Sequence, residues 1–166
     1  LTARRLWGII IKEMLDLYHE FERLIRALNE RHIDYAICGG VAMAVHGAPR
    51  ATVDIDLLIT AESLQEVKAA ARELGYLIEA DPMTFRKGAV EIRRVSKLDP
   101  DSGDLLMLDM LLVTPDVSVA WQTRIEVEWE GGTLWVVSRE GLMMLKSLRG
   151  NPQDLADIER LKEATQ

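Results

Sequence analysis

Apolar positions recur near the start of the chain at alternating steps of four and three: Ile10, Met14, Leu17, Phe21, Leu24 and Leu28. That spacing describes one seam of an α-helix of about six turns. Packing of the seam on the chain's own sheet predicts burial of Phe21 and Leu24. The period then shortens. DYAICGG reads as a short buried strand stopped by glycines, VAMAVHG as a short apolar helix ending near Gly47 and Pro49, and ATVDIDLLI as a second strand. Leu64, Val67, Ala71 and Leu74 mark another amphipathic helix, with Gly75 placed to cap its C-terminus. Strand signals follow at 76–79, 84–87 and 89–95. KLDPDSGD is a turn-rich loop, and DLLMLDMLLV a strongly apolar strand. A helical turn is expected at 117–122 and a hairpin through Gly131-Gly132. Ser138 can cap a helix through Leu142, Leu145 and Leu148. Asn151-Pro152 supplies the cap and first position of a last helix.

Hairpins and helices mixed in this order predict an α+β fold, a mixed β-sheet with flanking helices. At 166 residues the chain reads as one domain. Its parts are an N-terminal helix over 1–31, a sheet region over 33–137 and C-terminal helices over 138–166. A net charge of −7 argues against a generic nucleic-acid binder, which needs a basic face. A small acceptor, or a nucleic acid gripped at one local patch, stays open. The single cysteine, Cys38, excludes an internal disulfide and fits a reducing compartment, so a cytoplasmic location is expected. No apolar run approaches the roughly 18 residues of a membrane span. The basic and then apolar start, LTARRLWGIII, reads as helix and not as signal peptide.

The candidate chemistry lies between Gly39 and Ile59. Gly39 and Gly40 precede Asp54-Ile55-Asp56 by thirteen residues. Asp is depleted in strands, and a buried carboxylate is costly unless paired or metal-bound. Asp54 and Asp56, at i and i+2, project to one face, which suits hard divalent cations. The strand-to-helix passage at Gly39-Gly40 presents backbone N–H groups to anions, and without Cβ atoms a phosphate can approach closely. Asp109 lies on a third apolar strand. If that strand neighbours the Asp54 strand, three carboxylates converge and can hold two magnesium ions. Each residue also has a plainer use. Asp54 and Asp56 can pair with Arg50 or other arginines as structural ion pairs, and Asp109 can sit near solvent at a strand end. Lys146 and Arg149 can form a solvated helix face, and Asp154 and Asp157 can merely favour a helix N-terminus. His46 and Cys38 read as core residues, Asp99, Asp101 and Asp104 as turn residues. Trp7, Trp121, Trp129 and Trp135 read as core or interface.

Gly-Gly, thirteen residues, Asp-Ile-Asp and a later Asp strand resemble the nucleotidyltransferases of the DNA polymerase beta superfamily. The segment VVSREGLMMLKSLRGNPQDLADIERL makes the chain similar to the minimal branch that holds the abortive-infection type IV toxin family. The resemblance spans about 33–161. It implies a nucleotidyltransferase fold, with Gly39 and Gly40 on a nucleoside triphosphate and Asp54 and Asp56 on magnesium. It also implies Asp109 as third carboxylate, and Lys146 and Asp154 as C-terminal nucleotide-site residues. The expected reaction moves a nucleoside monophosphate to an acceptor hydroxyl on transfer RNA, a protein or a small molecule. The alternative is a toxin–antitoxin component of the same fold acting mainly by binding, and the resemblance leaves an antitoxin partner open. One departure stands at Gln153, where members often carry a basic residue; it leaves a phosphate contact from that helix open and does not touch the metal site.

Overall fold

The computed structural model describes residues 15–164. Trp7, Ile10 and Met14, and with them the first part of the expected N-terminal helix, lie outside the described residues. The first described helix, α1 (Leu15–Glu30), buries Phe21, Leu24, Ile25 and Leu28, as the four-three seam requires. Each such side chain contributes roughly 1.5–3 kcal/mol over leaving it in water. The helix ends where His32 takes a positive φ of 54° and Ile33 N–H donates back to Leu28 O.

β1 (Ala36–Cys38) runs directly into α2 (Gly39–Val45). β2 (Asp54–Ile59) follows, then α3 (Leu64–Glu73), which stops at Gly75 with φ +98°. The region after α3 carries the three strands that its pattern suggested, with shifted bounds. It holds β3 (Ile78–Glu79), β4 (Met83–Phe85) and a 3-10 turn (Arg86–Gly88) before the long β5 (Val90–Leu98). β6 (Leu105–Leu112) is the apolar strand. A 3-10 turn (Pro115–Val117) and α4 (Ser118–Gln122) lead to β7 (Ile125–Trp129) and β8 (Gly132–Val136). Trp129 pairs with Gly132, so the hairpin turns at Glu130-Gly131, one residue before the expected pair. Two helices close the chain, α5 (Arg139–Arg149) and α6 (Pro152–Glu163). Ser138 Oγ accepts from Gly141 N–H, and Asn151 Oδ1 from Asp154 N–H, as the sequence predicts.

Eight strands form one mixed sheet, ordered β3-β5-β6-β2-β1-β8-β7, with β4 also on β5. β2 lies between β1, antiparallel to it, and β6, parallel to it. Alternation along β2 and β6 sorts their side chains. Ile55, Leu57, Ile59, Leu108, Met110 and Leu112 share the face that carries the α1 and α3 core, and all are buried. Asp54, Asp56 and Asp109 share the other face. No helix among the described residues is long and apolar enough to cross a membrane.

Candidate active site

Strand pairing builds one row across the sheet. Asp56 is the register partner of Cys38 on β1 and of Asp109 on β6, and Asp109 is the partner of Arg94 on β5. Neighbouring strands are about 4.8 Å apart, so Cys38, Asp56, Asp109 and Arg94 stand in sequence on a single face. Asp54 lies two residues from Asp56 on the same side. β2 and β6 are thus neighbours, the arrangement under which the three carboxylates meet.

Their electrostatics differ. Asp54 Oδ1 is buried with no hydrogen-bond partner. Burial, and then the charge of Asp109, raise the Asp54 carboxyl above its ordinary pKa. Burial and Asp109 push Asp56 further, to about 6. Cys38 beside it is also driven well upward, by burial and then by the charge of Asp56. Such crowding of like charge is costly without a counter-ion. Arg50, the first partner that a plain structural reading offers this pair, goes elsewhere: its Nε donates to Asp157 Oδ2 at 2.9 Å.

Asp109 departs from the expectation of three carboxylates converging on metal. It is 5% exposed, not near solvent, and takes two hydrogen bonds from Arg94: Nε to Oδ1 at 2.6 Å and Nη2 to Oδ2 at 2.7 Å. As the side chains stand, no three His, Cys, Asp or Glu residues among the described residues are gathered to hold a metal ion. Asp54 and Asp56 fit a hard cation, through the unsatisfied oxygen of one and the raised carboxyl of the other. The third carboxylate is taken by arginine.

Gly39 and Gly40 form the first turn of α2 rather than a loop ahead of it. Gly39 has φ +62°, and a Cβ there would meet Asp56 Oδ2 at 2.0 Å; a Cβ on Gly40 would meet Thr52 Cβ at 2.5 Å. Room for Asp56 and Thr52 is therefore a second reason for the glycine pair, beside any approach of phosphate. Cys38, the N-cap, makes no side-chain cap to the first N–H groups of α2.

The C-terminal helices supply the basic side. Gly150, in the left-handed region at φ +63°, and the Asn151 cap turn α5 back on α6 within a few residues. Lys146 is only 2% exposed. Its Nζ lies 2.6 Å from Asp157 Oδ2 and 3.6 Å from Asp154 Oδ1. Arg149 Nη2 donates to Asp154 Oδ1 at 2.8 Å, and Gln153 Nε2 to Asp157 Oδ1 at 2.9 Å. The solvated-face reading of Lys146 and Arg149 is thus corrected, as is the reading of Asp154 and Asp157 as mere helix-dipole partners. All four join one ion cluster, buried at Lys146, Asp154 and Asp157 and half-buried at Arg149. Burial raises Asp157, but hydrogen bonds from Lys146 and Gln153 and the charges of Lys146 and Arg50 outweigh it and leave the carboxyl below its ordinary pKa.

Two spaces adjoin the row. A cavity of about 20 Å³ is bounded by Cys38, Gly39, Asp56, Leu145, Lys146 and Arg149. That holds a water, not a phosphate chain. The second, of about 420 Å³, is lined by Met83, Phe85, Arg86, Ile92, Arg94, Asp109, Arg149 and Asn151. This is the size of a small-molecule site. Arg149 borders both. Sequence reasoning placed neither Arg94 nor Arg149 in the site. The signal for Arg94 lay in the KLDPDSGD turn: pairing Leu98 with Leu105 and counting back sets Arg94 opposite Asp109.

Solved structures share this fold, and they are nucleotidyltransferase folds. The antigenic nucleotidyltransferase-like protein of Paracoccidioides brasiliensis matches at a TM-score of 0.51 with 23% identity, over 89% of this chain and 76% of its own. A nucleotidyltransferase candidate from Thermotoga maritima gives 0.60 with 12% identity, over 90% and 94%. ANT(2'')-Ia in complex with adenylyl-2''-tobramycin gives 0.57 with 17% identity, over 89% and 88%. At these identities the likeness establishes the fold. Among curated proteins none matches. Residues 23–163 match the model of the nucleotidyl transferase AbiEii toxin of type IV toxin–antitoxin systems. The chain belongs to that family.

Proposed function

We propose that this protein is a magnesium-dependent nucleotidyltransferase. It moves a nucleoside monophosphate from a nucleoside triphosphate to an acceptor hydroxyl on transfer RNA, a protein or a small molecule. The observation that carries the reading is the unsatisfied Asp54 Oδ1 beside Asp56, in a row with Asp109. Asp54 and Asp56 would hold magnesium, two ions when Asp109 joins them. Bound magnesium would neutralise triphosphate charge and lower the pKa of the acceptor hydroxyl. Asp109 would take the hydroxyl proton while the acceptor oxygen bonds to the α-phosphorus. The bond from that phosphorus to the bridging oxygen breaks, and pyrophosphate leaves. N–H groups of Gly39 and Gly40 would hold the β and γ phosphates. Lys146, anchored through Asp154 and Asp157, and Arg149 would offset the developing charge.

The cavity beside Gly39 is too small for phosphates, so the nucleotide would enter by the cleft at Arg149. Binding there would need α5 and α6 to give way.

A second reading keeps the fold and the antitoxin partner but has the protein act by binding, with little catalysis. The pairing of Asp109 with Arg94 favours it. Transfer of α-labelled nucleoside triphosphates into a cell extract, with and without a magnesium chelator, separates the two. Label passing to an acceptor only with magnesium supports the enzyme. Magnesium-dependent nucleotide binding by calorimetry without transfer supports the binding role, and equal nucleotide affinity in chelator removes the metal from the proposal.

A further inference from the structure

Among the described residues Asp109 has an ion-pair partner where Asp54 and Asp56 have none, and the two partners are unequally free to move. Both border the 420 Å³ cleft, but the Asp109 side chain is 7% exposed on a central strand, whereas that of Arg94 is 32% exposed. Asp109 is short and little exposed. Arg94 is long, with open space along one side. Asp54 and Asp56 already crowd the same face, so an unpaired Asp109 would add a third negative charge to it. Arg94 relieves that repulsion by occupying both oxygens of the carboxylate that stands next to Asp56 in register.

We propose that Arg94 is a positioning residue that competes with a divalent cation for Asp109, holding this carboxylate until the cation displaces the guanidinium toward the cleft. The idea rests on the magnesium reading above and adds an order of events. Asp54 and Asp56 receive the cation first, Asp109 joins second, and Arg94 remains in the cleft that it already lines. The site is then incomplete until loaded, and nucleophile activation is withheld until the cation is in place. A permanent structural ion pair would instead support the fold and leave cation affinity unaltered.

The experiment uses Mn²⁺ as a spin-active probe, titrated into the chelator-stripped full chain and followed by electron paramagnetic resonance. Wild type, Arg94→Met and Arg94→Lys are compared, with thermal stability measured in parallel. Arg94→Met is expected to lose apo stability yet bind Mn²⁺ about tenfold tighter, as removal of ~1.4 kcal/mol of competition requires. Arg94→Lys is expected to return toward wild type. A measurement on the wild type guards against a variant that fails to fold. The Arg94 Nε–H resonance, held by Asp109 Oδ1 without cation, should shift and lose exchange protection on adding Mg²⁺. Mn²⁺ binding of equal or weaker affinity in Arg94→Met, or an Arg94 resonance unmoved at saturating Mg²⁺, overturns the competition while sparing the metal reading. Absence of cation binding in wild type and variants alike overturns both.

Discussion

Asp56 Oδ2 lies 2.0 Å from the point where a Cβ on Gly39 would stand. The glycine that opens α2 and the carboxylate at the middle of the acidic row therefore determine each other. Gly39 cannot gain a side chain without moving Asp56 or the backbone that joins β1 to α2.

Gly39→Ala is expected to destabilise the protein by roughly 2–5 kcal/mol. The methyl must displace Asp56, and alanine is strained at φ +62°. Urea denaturation measures the loss. Gly39→Ala combined with Asp56→Gly should recover the part due to the clash and keep the part due to φ. A Gly39→Ala protein as stable as wild type would mean that Asp56 does not sit against α2.

Asp56 also predicts a pH dependence in metal-free protein. Its pKa is raised from 3.8 to about 6, so the folded state binds the proton more tightly than the unfolded chain. Between those values the native state holds more protons, and stability falls as pH rises through about 6. The contribution is at most about 3 kcal/mol. Asp157 works the other way: its lowered pKa adds stability above the ordinary carboxylate range, lost only as pH falls further. Thermal midpoints of wild type and Asp56→Asn, compared from about pH 4 to 8 in chelator, isolate the first effect. The difference between the two curves should grow as pH rises toward the folded-state pKa of about 6 and level off above it. A flat difference counts against the Asp56 assignment.

The parts of the fold legible in the sequence were those set by local periodicity and caps. The four-three seam predicts the burial of Phe21 and Leu24, and Ser138 and Asn151 cap the helices that they precede. The i, i+2 rule places Asp54 and Asp56 on one face. What escaped depends on pairing between distant elements. Lys146 in LMMLKSLR reads as a solvated residue because nothing local reveals that α6 brings Asp157 to it. Arg50 lies just ahead of Asp54, where β2 starts, so the sequence offers it to the acidic pair. It pairs instead with Asp157, far along the chain, because the loop before β2 passes α6. Arg94 was recoverable only by fixing the β5–β6 register first.

The buried cluster predicts an asymmetric response. Lys146→Met leaves Asp157 and Asp154 short of a cation inside the protein, and should cost roughly 3–5 kcal/mol. Lys146→Met with Asp157→Leu removes both charges of the 2.6 Å pair and should recover much of that loss. Arg50 and Gln153, which also bond Asp157, keep the recovery incomplete. Denaturant midpoints of the two single variants and the double variant complete the cycle. Additive losses would mean that Lys146 and Asp157 do not interact.

Asp54 and Asp109 should respond in opposite directions when each becomes Asn. Asp54 carries an unsatisfied buried oxygen and a raised pKa, so its charge is a burden to the metal-free fold. Asp54→Asn should leave apo stability unchanged or raise it, because it removes like-charge repulsion. Asp109 is the partner of Arg94 at 2.6 and 2.7 Å. Asp109→Asn weakens both bonds and leaves the guanidinium without its carboxylate, so apo stability should fall by about 1–3 kcal/mol. Both variants should lose magnesium-dependent nucleotide binding if the carboxylates act together on the metal. Thermal scans in chelator, followed by calorimetry with a nucleoside triphosphate and magnesium, test the two halves separately. Equal destabilisation by both variants, with nucleotide binding intact, would show that Asp54 is a structural residue and that the acidic row is not a metal site.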